Sequence, residues 1–306
     1  MRYLLEIRSF VKKEKVDIIH AQTPSNTILC ILALAFSKTK IVSTFHGIFE
    51  GKHAKMRLQF ITRHSDKVCC VSDYERKYYT EVMGLHPATS FCTVYNGVNF
   101  DKIVEHTKHK QNTPLSPVAT DCRVHVHLCT VGNFVPGRSP WIIAKALRVL
   151  YDKGTRNFDF SFIGRRMDSQ GWRYDQCVEI CEGMDNVHFL GARDDVPTLL
   201  SQMDGFVYST ESDTFGIAVI EAMAAGLPVI VNDWEVMKEV APEARFYKTD
   251  DVVDCANRIE QFIQEEEKGI EHEGMSNSFI VRNKYGMEKH INRLSEIYQL
   301  CITLKN

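Results

Sequence analysis

Short apolar runs of strand length alternate with helix-length segments along the chain, and this alternation constrains the fold more than any other feature. The runs are Val16–Ala21, Lys40–Phe45, Lys67–Val71 and Phe91–Tyr95, then Val124–Val131, Phe158–Ile163, Val187–Leu190, Gly205–Tyr208 and Pro228–Val231. Helical spacing is predicted for Tyr3–Lys15, Asn26–Phe36, Lys55–His64 and Tyr74–Met83. It returns at Trp141–Asp152, Arg173–Cys181, Val196–Ser201, Phe215–Ala225, Val252–Glu267 and Glu288–Ile302. Strands separated by helices cannot pair as tight hairpins, so parallel sheets with crossover helices are expected. Ligands of such sheets sit beyond the carboxyl ends of the strands. Between Asp101 and Thr120 the pattern dissolves into polar residues and Pro, which reads as an inter-domain connection.

A chain of 306 residues accommodates two α/β domains. With 44% hydrophobic and 25% charged residues it is neither disordered nor collagen-like. The ten cysteines form no C-x-x-C pair, and their scatter suggests reduced thiols and a cytoplasmic location. The longest apolar run, Ile28 to Phe36, is too short to span a bilayer. Tyr3–Lys15 lacks the charged start, apolar stretch and cleavage site of a signal peptide. Residues 1–110 hold 17 Lys+Arg against 10 Asp+Glu, a balance of +7, whereas the remainder balances at −9. A basic first half implies an anionic partner or simply a solvated surface, and the two readings are about even.

The chemistry concentrates in Gly205–Ile230, GFVYSTESDTFGIAVIEAMAAGLPVI. A strand ends near Ser209, a polar turn follows, and a helix is predicted to begin near Phe215. Backbone N–H groups in a first helical turn have no intrahelical partner, and with the helix dipole they suit a diphosphate. Gly216 would let such a ligand approach the backbone. Glu221 lies five residues on, roughly 7.5 Å along the axis, about the distance from a diphosphate to the ribose of one nucleotide. Asp213 precedes Glu221 by eight residues. The plainer alternative is that Asp213 caps the helix and Glu221 is a solvated charge.

This segment resembles the acidic–seven–acidic motif of glycosyltransferase family 4, with Asp213 where Glu is usual, and Gly226–Ile230 is similar to the family's closing strand entry. The resemblance implies an α/β fold of two Rossmann-like domains (GT-B) with a nucleotide cleft between them. It implies that Glu221 holds ribose, that the backbone of Thr214, Phe215, Gly216 and Ile217 holds phosphate, and that Asp213 faces the donor sugar. Val131–Ser139 resembles the family's phosphate grip, with Arg138 in the usual Lys position and Asn133 in one often held by Arg. Arg138 would neutralise the leaving diphosphate, with no second cation in view. Gly191-Ala192-Arg193 resembles the loop that reads the nucleobase, and Gly164-Arg165 is a similar strand-end turn. His46, after the strand ending at Phe45, matches the family's first-domain histidine facing the sugar. Val71-Ser72-Asp73 and Tyr95–Asn99 resemble landmarks of the family that read as turns.

The expected organisation is a first Rossmann-like domain over residues 1–105, a linker over 106–121, a nucleotide-sugar domain over 122–285 and a C-terminal helix over 286–306 crossing back to the first. Family members usually begin with a strand, a Gly-rich turn and further strand–helix units before the element corresponding to Tyr3–Ala21, so the first domain reads as incomplete. The implied function is retaining transfer of a hexose from a nucleoside diphosphate sugar to a glycan or lipid-linked acceptor. The alternative is a truncated, non-catalytic nucleotide-sugar binder or a subunit completed by another polypeptide. No metal, other cofactor or nucleic acid is expected. A minor reading makes Glu211-Ser212-Asp213 a metal clamp on the diphosphate. Peripheral contact with an anionic membrane is suggested by Lys52, Lys55, Arg57, Arg63 and Lys67 interleaved with Met56, Leu58, Phe60 and Ile61. Packing of those apolar residues on the sheet is the rival account.

Overall fold

The computed structural model describes residues 2–100, 103, 125–270 and 274–303. The chain forms two compact α/β units, one of residues 1–97 with 287–306 and the other of residues 98–286. The linker expected at 106–121 lies outside the described residues.

The first unit opens with α1 (Arg2–Glu14) and contains β1 (Ile18–Ala21), α2 (Pro24–Ala33), β2 (Lys40–Phe45), α3 (Ala54–His64), β3 (Lys67–Cys70), α4 (Asp73–Lys77) and β4 (Phe91–Thr93). The four strands are parallel, in the order β1-β2-β3-β4. Thr23 caps α2 by accepting from the Asn26 N–H, and Pro24 suits the first turn because no donor is lost there. That helix ends sooner than expected, and Phe36 stands fully exposed in the left-handed region at φ 70°. The predicted helix Tyr74–Met83 is α-helical only to Lys77, and Tyr78–Val82 form a π turn. Tyr79, in that turn, is wholly buried and stacks on Phe91. In α3, Leu58 and Ile61 are packed in the core, so of the interleaved apolar residues Met56 is the one largely exposed, at 66%. The apolar face expected to meet a membrane is thus mostly spent on the sheet.

The second unit runs through β5 (Val126–Val131), α5 (Pro140–Asp152), β6 (Phe158–Ile163), α6 (Gly171–Ile180), β7 (Val187–Gly191), α7 (Val196–Leu200) and β8 (Gly205–Tyr208). It continues with α8 (Ile217–Ala224), β9 (Val229–Asn232), α9 (Glu235–Val240), β10 (Arg245–Tyr247), α10 (Val252–Glu267) and α11 (Gly274–Tyr285). The parallel order is β10-β9-β8-β5-β6-β7. The chain starts mid-sheet at β5, winds outward to β7, then returns to β8 beside β5 and winds the other way. The connections leaving the carboxyl ends of β5 and β8 therefore run in opposite directions, and the crevice in which such sheets take ligands lies there. Leu128, Phe158, Phe160, Leu147, Leu150, Ile259 and Phe262 form a solvent-free core between sheet and helices. Each such side chain contributes roughly 1.5–3 kcal/mol by leaving water.

The elements α9, β10 and α11 have no counterpart in the predicted pattern. β10 has three residues, too few for a period, and α11 buries Asn277 beside Val281 and Tyr285. Asn277 Nδ2 there donates to the Leu227 carbonyl. The last helix, α12 (Met287–Thr303), belongs to the first unit, where Ile297 and Cys301 pack with Val42, Cys69 and Val94. The nine described cysteines are thiols. Among the described residues no helix is long and apolar enough to cross a membrane.

Candidate functional site

At the β5/β8 crevice two loops are stitched together. Thr210 Oγ1 donates to the Gly137 carbonyl at 2.7 Å, the Glu211 N–H donates to the same carbonyl at 3.0 Å, and Arg138 and Thr210 form an antiparallel bridge. Asn232, fully buried on β9, accepts from the Thr210 N–H and donates to the Thr210 carbonyl. The polar turn after β8 is thus held by the Gly137 carbonyl on one side and by the Asn232 side-chain amide on the other, which satisfies Thr210 backbone groups that would otherwise be buried without partners.

Arg138 is half-buried in this crevice rather than free in solvent. Its Nη1 donates to the Val131 carbonyl at 3.2 Å, and its guanidinium lies 5.0 Å from the Tyr208 ring centroid. Gly132 makes room for it, because a Cβ there would fall on the guanidinium. A second cation, unforeseen from the sequence, backs this loop. Arg173 at the start of α6 donates from Nη1 to the Arg138 carbonyl at 3.2 Å and lies 3.7 Å from Glu211 Oε1. Its guanidinium lies 5.0 Å from the Trp141 ring and 4.5 Å from the Trp172 ring. Gly171-Trp172-Arg173 could have signalled a cation held by aromatic faces. The 35-residue gap to Arg138 hid the pairing.

The acidic turn differs from expectation in a specific way. Asp213 Oδ1 accepts from the N–H groups of Thr214, Phe215 and Gly216 at 2.9, 3.2 and 3.1 Å, and Oδ2 accepts from the Tyr208 hydroxyl at 2.5 Å. Three of the donors assigned to a phosphate thus hold a carboxylate of the protein itself. The helix starts at Ile217 rather than Phe215, with Gly216 as its N-cap at φ 80°. Gly216 is needed for that left-handed conformation, and a Cβ would also come within 2.8 Å of the Met237 methyl. Trp234 Nε1 donates to the Asp213 carbonyl, closing the turn from β9. Glu211 faces Ser139 and Arg173 while Asp213 faces its own turn, so the two do not converge as a metal clamp.

Glu221, in the middle of α8, is the unspent acid. It is half-buried, it has no hydrogen bond or ion pair among the described residues, and loss of solvent raises its pKa above the ordinary carboxylate value. A carboxylate in that state gains from any hydroxyl pair brought to it.

The other predicted turns line the same edge of the sheet. Asn133 Oδ1 accepts from the Arg165 N–H at 3.0 Å, and the Gly164 N–H donates to the Gly191 carbonyl at 2.8 Å. Gly164 is required by proximity, since a Cβ would strike the Gly132 carbonyl. The Asn133 amide is therefore a loop brace. Arg165 and Ala192 are exposed. Arg193, also exposed, forms a bidentate pair with Asp195 at 2.8 and 2.6 Å.

In the first unit His46 follows β2 and shares a 2.9 Å hydrogen bond with Gln22. Desolvation and the neighbouring His290 lower its pKa. His20, at the end of β1, is held by the Tyr298 hydroxyl and by Thr44 Oγ1, each at 2.6 Å. Burial, with His46 and His290 nearby, lowers its pKa to about 4. Below the His46 loop, Tyr79 donates to the Gly47 carbonyl at 2.6 Å and accepts from the Phe49 N–H. Wholly buried Glu75 accepts from the Val71 N–H at 2.7 Å, and Ser72 Oγ caps α4 through the Glu75 N–H. The sequence signal for this support was the spacing of Ser72 and Glu75.

Comparison with known proteins agrees with this fold. Residues 1–102 match the family model Glycosyltransferase Family 4, and residues 125–265 match Glycosyl transferases group 1. The UDP-Gal:alpha-D-GlcNAc-diphosphoundecaprenol alpha-1,3-galactosyltransferase of Escherichia coli is 21% identical over 97% of this chain and 79% of its own length. The phosphatidyl-myo-inositol mannosyltransferase of Mycobacterium leprae is 25% identical over 76% of this chain, with 60% of its own length covered. A glycosyltransferase from Rickettsia africae ESF-5 superposes with a TM-score of 0.83 at 17% identity, over 100% of this chain and 81% of that one. Anabaena Alr3699/HepE in complex with UDP and glucose gives 0.77 at 17% identity, over 95% and 80%. Two Rossmann-like units, a stitched crevice at the strand-order reversal and these matches together show that the chain belongs to glycosyltransferase family 4, with the GT-B fold.

Proposed function

We infer that this chain transfers a hexose from a nucleoside diphosphate sugar to a hydroxyl of a glycan or lipid-linked acceptor, with retained anomeric configuration. The observation that carries the reading is Glu221, half-buried and without a partner on the helix that starts at the crevice. Vicinal ribose hydroxyls would give that carboxylate the hydrogen bonds that the protein does not. Arg138, already at the crevice, would meet the diphosphate, and its role grows as the sugar bond breaks and charge moves to the leaving group. Arg173 would position the Arg138 loop from behind.

Asp213 serves first as the clamp that shapes the turn beside which the donor sugar would lie. The exposed Arg165 and Ala192, with Gly164, Gly191 and Arg193, would contact the base beside the strand ends. His46 is the acceptor-side candidate, and its lowered pKa favours the neutral imidazole, which can accept from a sugar hydroxyl. The relatives support the substrate class: one is named for UDP-Gal and a diphosphoundecaprenol acceptor, and Anabaena HepE carries UDP and glucose.

The test is a thermal-shift and calorimetric screen of UDP-, GDP- and ADP-sugars, followed by a transfer assay with the sugar that binds. Saturable binding of one nucleotide class that is weakened by Glu221→Gln supports the reading. No binding of any nucleoside diphosphate sugar at millimolar concentration would overturn it.

A further inference from the structure

At the opposite, amino-terminal end of the second sheet, three imidazoles converge on one carboxylate. His127 is the second residue of β5 and stands directly across from Asp159, the second residue of β6. His188, the second residue of β7, pairs with Ser161, the next residue of β6 on the Asp159 face. His125 lies two residues before His127, so its side chain shares that face. The sheet register alone therefore gathers four side chains from three adjacent strands.

His125 and His188 reach Asp159 at hydrogen-bond distance and His127 lies slightly beyond, so one carboxylate is shared among three rings. His125 Nε2 is 2.7 Å and His127 Nδ1 3.7 Å from Asp159 Oδ2, and His188 Nε2 is 3.4 Å from Oδ1. The ligand atoms of His125, His127 and Asp159 all lie within 4.8 Å of one another. Tetrahedral coordination at zinc bond lengths places neighbouring ligand atoms roughly 3.3 Å apart, which these separations bracket. The backbone beneath is fixed, because Asp204 accepts from the His127 N–H through Oδ2 and donates its own N–H to the His127 carbonyl, both at 2.8 Å. All four side chains keep between 32% and 46% of their surface in solvent, so an ion can reach them without any opening of the fold. His125, His127 and Asp159 together offer two imidazole nitrogens and a carboxylate oxygen to one ion.

We propose that His125, His127 and Asp159 bind a divalent transition metal ion of the zinc class, with His188 orienting Asp159 through its other oxygen. Imidazole nitrogens with one carboxylate oxygen select zinc, cobalt or nickel over magnesium or calcium. The site ties together the first turns of β5, β6 and edge strand β7, at the end of the sheet remote from the Arg138 and Glu221 crevice. Its role is to stabilise the second unit, not to take part in sugar transfer. Nothing in the sequence pattern marks it, because the three ligands and His188 are spread over 64 positions and meet only through parallel pairing.

The experiment uses untagged full-length chain stripped with chelator. Zinc chloride is titrated against a competing chromophoric chelator, and cobalt chloride is added separately to record its visible spectrum. We expect about one equivalent of zinc with micromolar affinity, a raised Tm, and the intense absorption of tetrahedral cobalt. His188→Ala and Asp159→Asn should each weaken zinc binding by about 10- to 100-fold, and His125→Ala with His127→Ala should abolish it. His64→Ala, in the first unit, should leave it unchanged. Wild-type protein without saturable zinc binding below about 100 µM overturns the proposal. So does binding that persists in the His125/His127 double variant, provided that variant keeps its circular dichroism.

Discussion

The Tyr208 hydroxyl donates to Asp213 Oδ2 at 2.5 Å, while the other oxygen of Asp213 gathers three successive N–H groups. Strand end and helix start are thus joined through one carboxylate. Tyr208→Phe should lower stability by about 1–2 kcal/mol, because Asp213 loses a buried donor while the shape of the core is kept. Asp213→Ala should cost more, about 2 kcal/mol or above, since the turn loses its cap as well. Urea unfolding measures both, and equal stability of the two variants would contradict the clamp.

Glu221→Gln should weaken nucleotide binding by about 1–3 kcal/mol, because an amide is a poorer acceptor for ribose hydroxyls than a carboxylate. The free protein should respond the other way. Burial raises the Glu221 pKa, so its contribution to stability is complete below the ordinary value of 4.5 and is lost as pH rises through the folded value. At pH 7 the glutamine variant should therefore melt above wild type. Calorimetry and a pH series of melting curves separate the two effects, and unchanged affinity would make Glu221 a surface charge.

Arg138→Ala should reduce turnover more than donor affinity, by about 100-fold in kcat, because charge on the leaving diphosphate grows towards the transition state. Arg138→Lys should recover part of the rate but not the stacking on Tyr208. Arg173→Ala should act more weakly and should loosen the 132–139 loop, which hydrogen exchange would register. A raised KM with unchanged kcat for Arg138→Ala would assign it to ground-state binding.

His20 supplies an acid-side limit to the stability of the first unit. Its folded pKa of about 4 lies below the unfolded value of 6.5. The unfolded chain therefore binds the extra proton between those values, and stability present above pH 6.5 is lost as pH falls towards 4. Allowing for partial exposure, the loss is on the order of 2 kcal/mol. His20→Gln should flatten the melting profile between pH 4 and 6.5, and an unchanged profile would place the titration elsewhere.

Binding to anionic liposomes, if driven by Lys52, Lys55 and Arg57 around α3, should be present at low salt and vanish at high salt, since Leu58 and Ile61 are committed to the core. Salt-indifferent cosedimentation would point instead to apolar insertion.

The sequence alone determined the alternation of strands and helices, the location of the acidic turn between Ser209 and Phe215, and the short list of cations and acids that could meet a diphosphate. These are local properties: apolar period, turn chemistry and residue type are written within a dozen positions. Tertiary structure decided which of those groups remain open to a ligand. Asp213 turns its carboxylate on its own amides and Asn133 braces the Arg165 backbone, whereas Glu221 stays half-buried with no hydrogen bond or ion pair among the described residues. The pairing of Arg173 with the Arg138 loop, and of His188 with Asp159, depends on parallel strands whose partners lie tens of residues apart. Such pairings are set when the sheet chooses its strand order, a choice that no local stretch of sequence encodes.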